Sequence, residues 1–210
     1  MRILTLFLFL FTLSACQSGG PTHAVIQTNR GDVEIMLYPE TERHAANFVK
    51  LAEEGFYTGT LFHRVVPGFV IQGGDPTSKG ATIDQPLGMG GPGYEIDAEI
   101  GAPHLYGAVA AARTQNPEKK SNGSQFYIVT GELQTDEMLD QIERIKGIKY
   151  SEAQRAAYRE AGGRPDLDQD YTVFGEVVSG MDVVEAIAEI ETGPASRPLE
   201  DIVIERVYIK

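Results

Sequence analysis

Residues 61–75, LFHRVVPGFVIQGGD, carry the strongest structural signal in this 210-residue sequence. Apolar residues flank Pro67-Gly68, a dipeptide that marks a turn, so we predict two short β-strands. Because side chains alternate between the faces of a strand, Arg64 is expected opposite His63. A guanidinium among apolar neighbours is unusual, since a buried charge destabilises a protein unless something pairs with it. This stretch alone leaves two interpretations, an exposed arginine over a core or a functional arginine.

A second stretch, SNGSQFYIVT (residues 121–130), favours a functional arginine. It is predicted to be a loop that leads into a strand. Alternation places Gln125 and Tyr127 on one face of that strand, and Phe126 and Ile128 on the other. Two separate strands therefore each offer a polar hydrogen-bonding group beside an aromatic ring.

The segments FHRVVPGFVIQGGD and NGSQFYIVTG together resemble the two signature segments of the cyclophilins, the peptidyl-prolyl cis–trans isomerases. The resemblance runs from about residue 23 to 210, with an interruption from 133 to about 165. It implies a mainly β fold, a closed eight-stranded antiparallel barrel capped by two helices. Closure would leave no open sheet edge.

Composition limits the other classes of function. An apolar content of 42% in 210 residues fits one globular domain with its own core. The net charge of −12 argues against a nucleic-acid partner, which requires a basic surface. The single cysteine excludes an intrachain disulfide and a cysteine metal cluster, and the four histidines lack ligand spacing. We therefore expect no metal and no cofactor.

The N-terminus is typical of an exported protein. Residues 1–15 form a predicted signal peptide, with Arg2 before a short apolar run. The following sequence LSAC resembles the lipobox of bacterial lipoproteins, which implies lipid attachment at Cys16. Residues 16–22 then form a tether, and the protein is expected in the bacterial cell envelope, anchored by lipid and facing the periplasm. The alternative is an ordinary signal peptide followed by an incidental thiol.

Local patterns predict the remaining elements. The predicted strands are 24–28, 33–37, 106–112 and 202–209, with a hairpin turn at 29–32. The predicted helices are 41–54, capped by Thr41 and stopped at Gly55, and 182–190. The loop 76–93 is rich in glycine and proline, and a loop of this length is usually functional or mobile.

Within this interruption, residues at about 134–163 are predicted to form a helical insert in the 23–210 domain. Thr135 begins one helix and Ser151, in a capping-box pattern, begins another. Two interpretations of the insert remain open, a docked decoration or an element that selects partners or substrates.

The resemblance also implies roles for individual residues. Arg64, Gln72 and Phe69 are the predicted catalytic residues, with Arg64 donating to the proline imide nitrogen as the peptide bond twists. The predicted substrate-binding residues are Val70, Ala112, Arg113, Gln125, Tyr127, Leu167 and Tyr171. In cyclophilins the edge at the Ala112-Arg113 pair binds the peptide backbone by β-augmentation.

The predicted function is prolyl isomerisation in proline-containing polypeptides that are unfolded or folding. Two positions depart from the family pattern, because the usual site tryptophan falls at about Asp166 and the usual site histidine at Tyr171. These changes keep an alternative open, a proline-segment binding module or chaperone-like scaffold with weak turnover.

Overall fold

The computed structural model of the protein describes residues 20–210. The predicted signal peptide and Cys16 lie outside the described residues. Among residues 20–210, no helix combines the length and the apolar character that crossing a membrane requires.

The described chain forms ten β-strands and four α-helices. The strands are β1 (His23–Thr28), β2 (Gly31–Leu37), β3 (Arg64–Val66), β4 (Val70–Gly73), β5 (Glu95–Ile96), β6 (Ala108–Ala111), β7 (Ser121–Asn122), β8 (Phe126–Val129), β9 (Val173–Ser179) and β10 (Ile204–Ile209). The helices are α1 (Glu42–Glu53), α2 (Asp136–Lys146), α3 (Glu152–Glu160) and α4 (Met181–Ala188). The predicted strands and helices are confirmed, with ends shifted by one or two residues, where helix and strand ends are least sharply defined.

Eight strands form one antiparallel sheet in the order β10-β1-β2-β9-β6-β8-β4-β3, and β5 pairs with β7 separately. The prediction of a closed barrel is wrong, because the sheet is an open half-barrel. In the described chain its two edges meet only through residues 59–62, just before β3, which form an isolated bridge between Leu61 and Val203 and three backbone hydrogen bonds with residues 202–204. Regular pairing between β3 and β10 does not form, because β3 has only three residues and because the segment that approaches β10 comes before β3 in the chain.

The main core lies between the inner face of this sheet and two helices. Phe48 and Leu51 of α1 and Val184 and Ile187 of α4 are buried in the same cluster as the inward side chains of the strands. The predicted pair of capping helices is therefore α1 and α4. A second buried cluster lies on the other face of β4, β6 and β8 and contains Tyr127.

Gly74 and Ser124 join the two signature segments. An added Cβ on Gly74, which has a φ of 85°, would lie 2.3 Å from the Ser124 carbonyl oxygen, so only glycine fits there. The Ser124 hydroxyl donates a hydrogen bond of 2.8 Å to the Gly74 carbonyl oxygen. This close contact sets the distance between the strands that carry the candidate site.

The N-terminus of α1 is capped differently from the prediction. The Thr41 hydroxyl donates to the Tyr38 carbonyl oxygen and makes no cap to the helix. Instead, the Glu99 carboxylate accepts from the backbone N–H groups of Arg43 and His44 and contacts the His44 ring at 2.6 Å. A carboxylate from a distant loop therefore supplies the acceptors that exposed N–H groups at a helix start require.

The insert follows the predicted local pattern. The Thr135 hydroxyl accepts from the backbone N–H of Met138, and Ser151 forms a full capping box with Gln154. Helix α2 ends at Gly147 in the left-handed conformation, with a φ of 65°. Both helices of the insert are therefore specified by their own sequence.

Glu99→Ala tests the distant cap. We expect the free energy of unfolding to fall by about 1–2 kcal/mol at pH 7, because two helix N–H groups and the buried His44 lose their acceptor. Burial by itself would raise the pKa of Glu99, but hydrogen bonds from the His44 side chain and from the two N–H groups outweigh it, and the pKa is lowered from 4.5. The stabilisation is therefore present above pH 4.5 and lost as the pH falls through the lower folded-state pKa.

Urea denaturation at several pH values measures the effect of Glu99→Ala. The exposed Glu95 provides the matched control, and Glu95→Ala should change stability by less than about 0.5 kcal/mol. Equal stability of the two variants at pH 7 would show that Glu99 does not cap α1.

Candidate active site

Nine of the ten predicted catalytic and substrate-binding residues line one small pocket on the outer face of β4, β6 and β8. Its volume is about 180 Å³. The lining residues are Arg64, Phe69, Val70, Gln72, Ala112, Arg113, Tyr127, Leu167 and Tyr171. The tenth, Gln125, is buried beside it and contacts Gln72. The structure thus brings these ten residues together, and Cys16 lies outside the described part.

A row of hydrogen bonds holds the guanidinium at the pocket. Arg64 and Gln72 lie directly opposite each other on β3 and β4, and Arg64 donates to the Gln72 amide oxygen at 3.3 Å. Gln72 in turn donates to the Gln125 amide oxygen at 3.0 Å. The Gln125 amide nitrogen donates to the carbonyl oxygens of Gly88 and Gly90.

The buried Asp75 carboxylate anchors the far end of this row. It accepts from the backbone N–H groups of Gly88 and Gly90, and from the N–H and hydroxyl of Thr77. Burial alone would raise the pKa of Asp75, but these four donors outweigh it and the pKa is lowered. The loop 76–93 is therefore tied at both ends to the signature segment, which positions the carbonyl groups that Gln125 binds.

The charge of Arg64 is not neutralised. Among the residues that the structure describes, no carboxylate oxygen lies within 4.0 Å of its guanidinium. Its guanidinium carbon lies 5.4 Å from the centre of the Phe69 ring. A half-buried guanidinium therefore faces an apolar pocket with N–H donors that remain available. These donors can stabilise a lone pair that becomes localised on a bound ligand.

Tyr127 forms the floor of the pocket and is held from behind by His104. Its hydroxyl lies 3.0 Å from His104 Nε2, and Nδ1 of the same ring lies 2.8 Å from Asp168 Oδ1. Because a carboxylate only accepts, Nδ1 carries the proton, and in the neutral ring Nε2 accepts from the tyrosine hydroxyl. Burial raises the pKa of Tyr127 well above its usual value. The Tyr127 side chain is thus buried, and its hydroxyl is hydrogen-bonded to His104.

Asp168 joins the pocket to the insert. One carboxylate oxygen accepts from the hydroxyl groups of Tyr150 and Tyr158, each at 2.6 Å. The other accepts from the His104 backbone N–H and ring. Asp168 and His104 were missed by the sequence prediction, since no local pattern distinguishes a buried aspartate with four donors from a surface one.

The side wall of the pocket near residue 166 contains charged side chains and is not apolar. Arg164 and Asp166 form a two-pronged ion pair with N···O distances of 2.8 and 2.9 Å. The Arg164 guanidinium also stacks over the Phe69 ring, 4.2 Å from its centre. On the opposite side, the Arg113 guanidinium covers the Tyr171 ring at 4.9 Å. Arginine planes therefore flank the pocket on two sides, and sequence reasoning missed Arg164.

The edge predicted to bind a peptide backbone, at the Ala112-Arg113 pair, is largely occupied by internal hydrogen bonds. Strand β6 lies between β8 and β9, and both the N–H and C=O of Ala112 are hydrogen-bonded internally, to Gln125 and Asn122. Within the described chain, no backbone hydrogen bond is formed by Arg113. Of this pair, the Arg113 backbone rather than the Ala112 backbone is therefore available to an extended ligand.

Comparison with known proteins identifies the class of protein. The family model described as "Cyclophilin type peptidyl-prolyl cis-trans isomerase/CLD" matches residues 23–209, and the chain belongs to this family. The resemblance inferred from the two signature segments is confirmed. This protein is accordingly a cyclophilin-type peptidyl-prolyl cis–trans isomerase.

Individual relatives are similar over nearly the whole chain. A Staphylococcus aureus (strain USA300) protein named "Putative peptidyl-prolyl cis-trans isomerase" is 38% identical over 192 residues, covering 91% of this chain and 93% of that protein. A protein of the same name from Staphylococcus saprophyticus is 37% identical over 193 residues, with the same coverage.

Solved cyclophilin structures share the fold. A cyclophilin-type peptidyl-prolyl cis-trans isomerase of Cryptosporidium parvum superposes with a TM-score of 0.67 at 25% identity, covering 91% of this chain and 98% of that one. A structure of the same protein in the presence of the dipeptide Ala-Pro superposes with a TM-score of 0.65 at 26% identity, over 90% of this chain and 98% of that chain.

Tyr127→Phe tests the hydrogen-bond chain behind the pocket. It leaves the fully buried His104 ring with one unpaired nitrogen, so we expect the free energy of unfolding in urea to fall by about 1–2 kcal/mol. The control is Tyr94→Phe, because the Tyr94 hydroxyl also donates to a side chain, that of Asn47, but at an exposed position. A Tyr127→Phe variant as stable as the Tyr94→Phe variant would contradict the predicted contribution.

Proposed function

We propose that this protein accelerates rotation about X-Pro peptide bonds in secreted or envelope proteins by non-covalent stabilisation of the twisted imide. The observation that carries the mechanism is the Arg64 guanidinium, free of any described carboxylate partner and held at the rim of a small apolar pocket. A proline ring fits such a pocket and brings its imide nitrogen to the guanidinium. No nucleophile or base is required, since no lasting covalent bond breaks.

The required lowering of the rotation barrier is within reach of one well-placed hydrogen-bond donor combined with substrate positioning and exclusion of water. Rotation meets a barrier of roughly 18–20 kcal/mol, because twisting removes amide resonance. A rate gain of about 10⁴ requires lowering that barrier by ~5.5 kcal/mol. A hydrogen bond from a cationic donor supplies ~1.5–3 kcal/mol. Fixing the substrate and excluding water from the pocket supply the remainder.

The Arg64 guanidinium interacts differently with the planar and the twisted forms of the X-Pro peptide bond. In the planar amide the nitrogen lone pair is delocalised into the carbonyl group, whereas in the twisted state it is localised on nitrogen and accepts a hydrogen bond. Arg64 therefore binds the twisted state more strongly, which is the condition for catalysis. Gln72 and Gln125 hold the guanidinium in place through neutral amides, so its charge stays available to the substrate.

The rest of the pocket orients the substrate. Phe69, Val70, Tyr127 and Leu167 supply apolar contacts for the proline ring. The backbone N–H and C=O of Arg113, which are unused within residues 20–210, pair with the substrate backbone beside the proline. Ala112 contributes a small side chain that lets the substrate approach.

A second function, a binding module with weak turnover, is favoured by one observation. The Arg164–Asp166 ion pair and Arg113 replace an apolar side wall, so polar groups rim the pocket on two sides. Such a rim would hold proline-containing segments without favouring the twisted state. The two functions differ in their dependence on Arg64.

We further propose that the chain is exported, lipidated at Cys16 and held in the bacterial cell envelope, facing the periplasm. The support is the apolar run that precedes LSAC at residues 13–16, together with the absence of any other cysteine in the sequence. Residues 16–22 would then tether the isomerase domain to the membrane surface.

Arg64→Ala tests the isomerase mechanism. We expect kcat/KM for cis-to-trans relaxation of a short X-Pro peptide to fall about 10- to 150-fold, the equivalent of ~1.5–3 kcal/mol. Arg206→Ala is the control, because Arg206 also stacks on an aromatic ring, that of Tyr208, but lies outside the pocket. Unchanged turnover in the Arg64→Ala variant would refute the mechanism, and wild-type protein that binds the peptide without accelerating exchange would establish the binding module.

Cys16→Ser tests the anchor. We expect the wild-type chain to incorporate labelled fatty acid in a bacterial host and to fractionate with membranes, and the variant to do neither, since a serine hydroxyl cannot form the thioether. Wild-type protein recovered unlabelled in the soluble fraction would disprove lipidation.

A further inference from the structure

The helical insert forms one wall of a groove beside the prolyl pocket. The opposite wall of this insert groove is the turn that joins β3 to β4. The volume of the groove is about 680 Å³, within the range of sites that bind ligands. Its apolar lining comes from Met138 and Ile142 of α2 and from Val66, Pro67 and Phe69 at the turn.

The insert groove is continuous with the prolyl pocket. Phe69 lines both cavities, and of two consecutive residues Asp166 lines the groove and Leu167 lines the pocket. Phe69 is therefore a wall common to both. Because an extended chain advances by about 3.3 Å per residue, a polypeptide with its proline ring in the pocket has residues two to four positions away at the groove.

Helix α2 is anchored through the face that points away from the groove. That face contains Leu139, which is fully buried, and Glu143, whose buried carboxylate pairs with Arg155 of α3 at 3.3 Å. A helix fixed on one side holds the side chains of its other side in place. The positions of Met138 and Ile142 are therefore set before any ligand binds.

The two ends of the insert are bonded to each other. The Gly163 N–H donates to the Glu132 carbonyl oxygen at 3.0 Å, and the Gln134 side chain donates to the carbonyl oxygens of both residues at 2.9 and 3.1 Å. An added Cβ on Gly131 would lie 2.4 Å from the Gly163 carbonyl oxygen, so only glycine permits this approach. The base of the insert is therefore fixed, and Glu132 and Gln134 of this base line the groove.

The apolar side of the groove is accessible to a ligand. Met138 is 49% exposed and Ile142 is half-buried. Since these residues are one helical turn apart, their side chains are neighbours on the surface of α2. Methionine is flexible and adapts to apolar partners of different shape. This wall is therefore complementary to a large apolar side chain.

The charged residues of the groove leave one negative charge unpaired. Arg164 pairs with Asp166 at 2.8 Å, whereas no cation within residues 20–210 lies within 4.0 Å of the Glu132 carboxylate. Glu132 is exposed and lies against the turn, since an added Cβ on Gly68 would be 3.2 Å from its Oε1 atom. The charge that complements this part of the groove is positive.

We propose that the insert groove is a substrate subsite that binds a large apolar residue next to a lysine or arginine, two to four positions from the isomerised proline. Met138 and Ile142 contact the apolar side chain, and Glu132 pairs with the cation. The subsite rests on the prolyl isomerase function proposed above and adds a sequence preference to it. The insert thereby selects among X-Pro bonds, which is one of the two roles that its sequence left open.

The test measures kcat/KM for cis-to-trans relaxation of peptides that extend four residues to each side of one proline. Leucine and lysine, in either order, are placed at each pair of flanking positions in turn and compared with two serines. We expect one placement to raise kcat/KM about tenfold over the serine peptide, from apolar burial together with one exposed ion pair.

Met138→Ala and Ile145→Ala form a matched pair on α2. Both side chains are exposed, but only Met138 lines the groove. Met138→Ala should reduce the advantage of the leucine-lysine peptide over the serine peptide about threefold or more, because apolar contact is lost. Ile145→Ala should leave this advantage unchanged.

Glu132→Lys tests the charge of the groove, using leucine-lysine and leucine-glutamate peptides at the preferred placement. We expect the wild type to favour the lysine peptide about threefold and the variant to favour the glutamate peptide. Glu137→Lys is the control, because Glu137 is also exposed on the insert but does not line the groove. This control should retain the preference for lysine.

The outcomes separate the two proposals. If the wild type turns over a short X-Pro peptide but prefers no placement of leucine and lysine, the subsite is refuted and the isomerase function stands. A preference that Met138→Ala and Glu132→Lys leave unchanged, or that their controls alter equally, refutes the role of the insert groove. If no peptide, short or extended, is turned over, the isomerase function itself fails.

Discussion

The structure depends on keeping one arginine charged, oriented and unneutralised at the edge of an apolar pocket. A carboxylate beside Arg64 would hold it firmly but would compete with the substrate for its donors. Neutral amides avoid this, because Gln72 accepts from Arg64 and is held in turn by Gln125. The row ends on backbone carbonyl groups that Asp75 fixes through their own N–H groups. The carboxylate that makes this row of hydrogen bonds rigid, that of Asp75, therefore lies at the opposite end of the row from the Arg64 guanidinium.

A second polar centre, at Asp168, gives the insert a structural connection to the pocket. Two tyrosine hydroxyls from the insert and two N–H groups of His104 converge on one carboxylate that is 2% exposed. A buried charge of this kind is tolerated because its oxygen lone pairs are used. Lys146 adds a bond to the Asp168 backbone carbonyl, and its ammonium also pairs with Asp170. The insert is therefore linked to Tyr127 by hydrogen bonds that pass through Asp168 and His104.

Arginine performs three different tasks around the site. Arg64 faces the pocket with its charge available, Arg197 is buried and orders a loop through carbonyl oxygens, and Arg164 is paired with Asp166 while it stacks on Phe69. The planar guanidinium allows all three, because it both stacks and donates in a fixed fork. The chain as a whole is acidic, with a net charge of −12, so these three arginines are cations in a predominantly negative protein.

The amino-acid sequence predicted the family, the bounds of the strands and helices it identified to within two residues, and ten site residues of which nine line one pocket, whereas β5, β7 and β9 were not predicted. These follow from local periodicity, capping and two signature segments. The sequence did not predict the open sheet, the Glu99 cap or the Asp168 centre. His104 and Asp168 are 64 residues apart, and Arg197 and Thr82 are 115 apart. Such contacts depend on three-dimensional packing, because no local pattern in the sequence shows whether a polar side chain is exposed or buried against a partner.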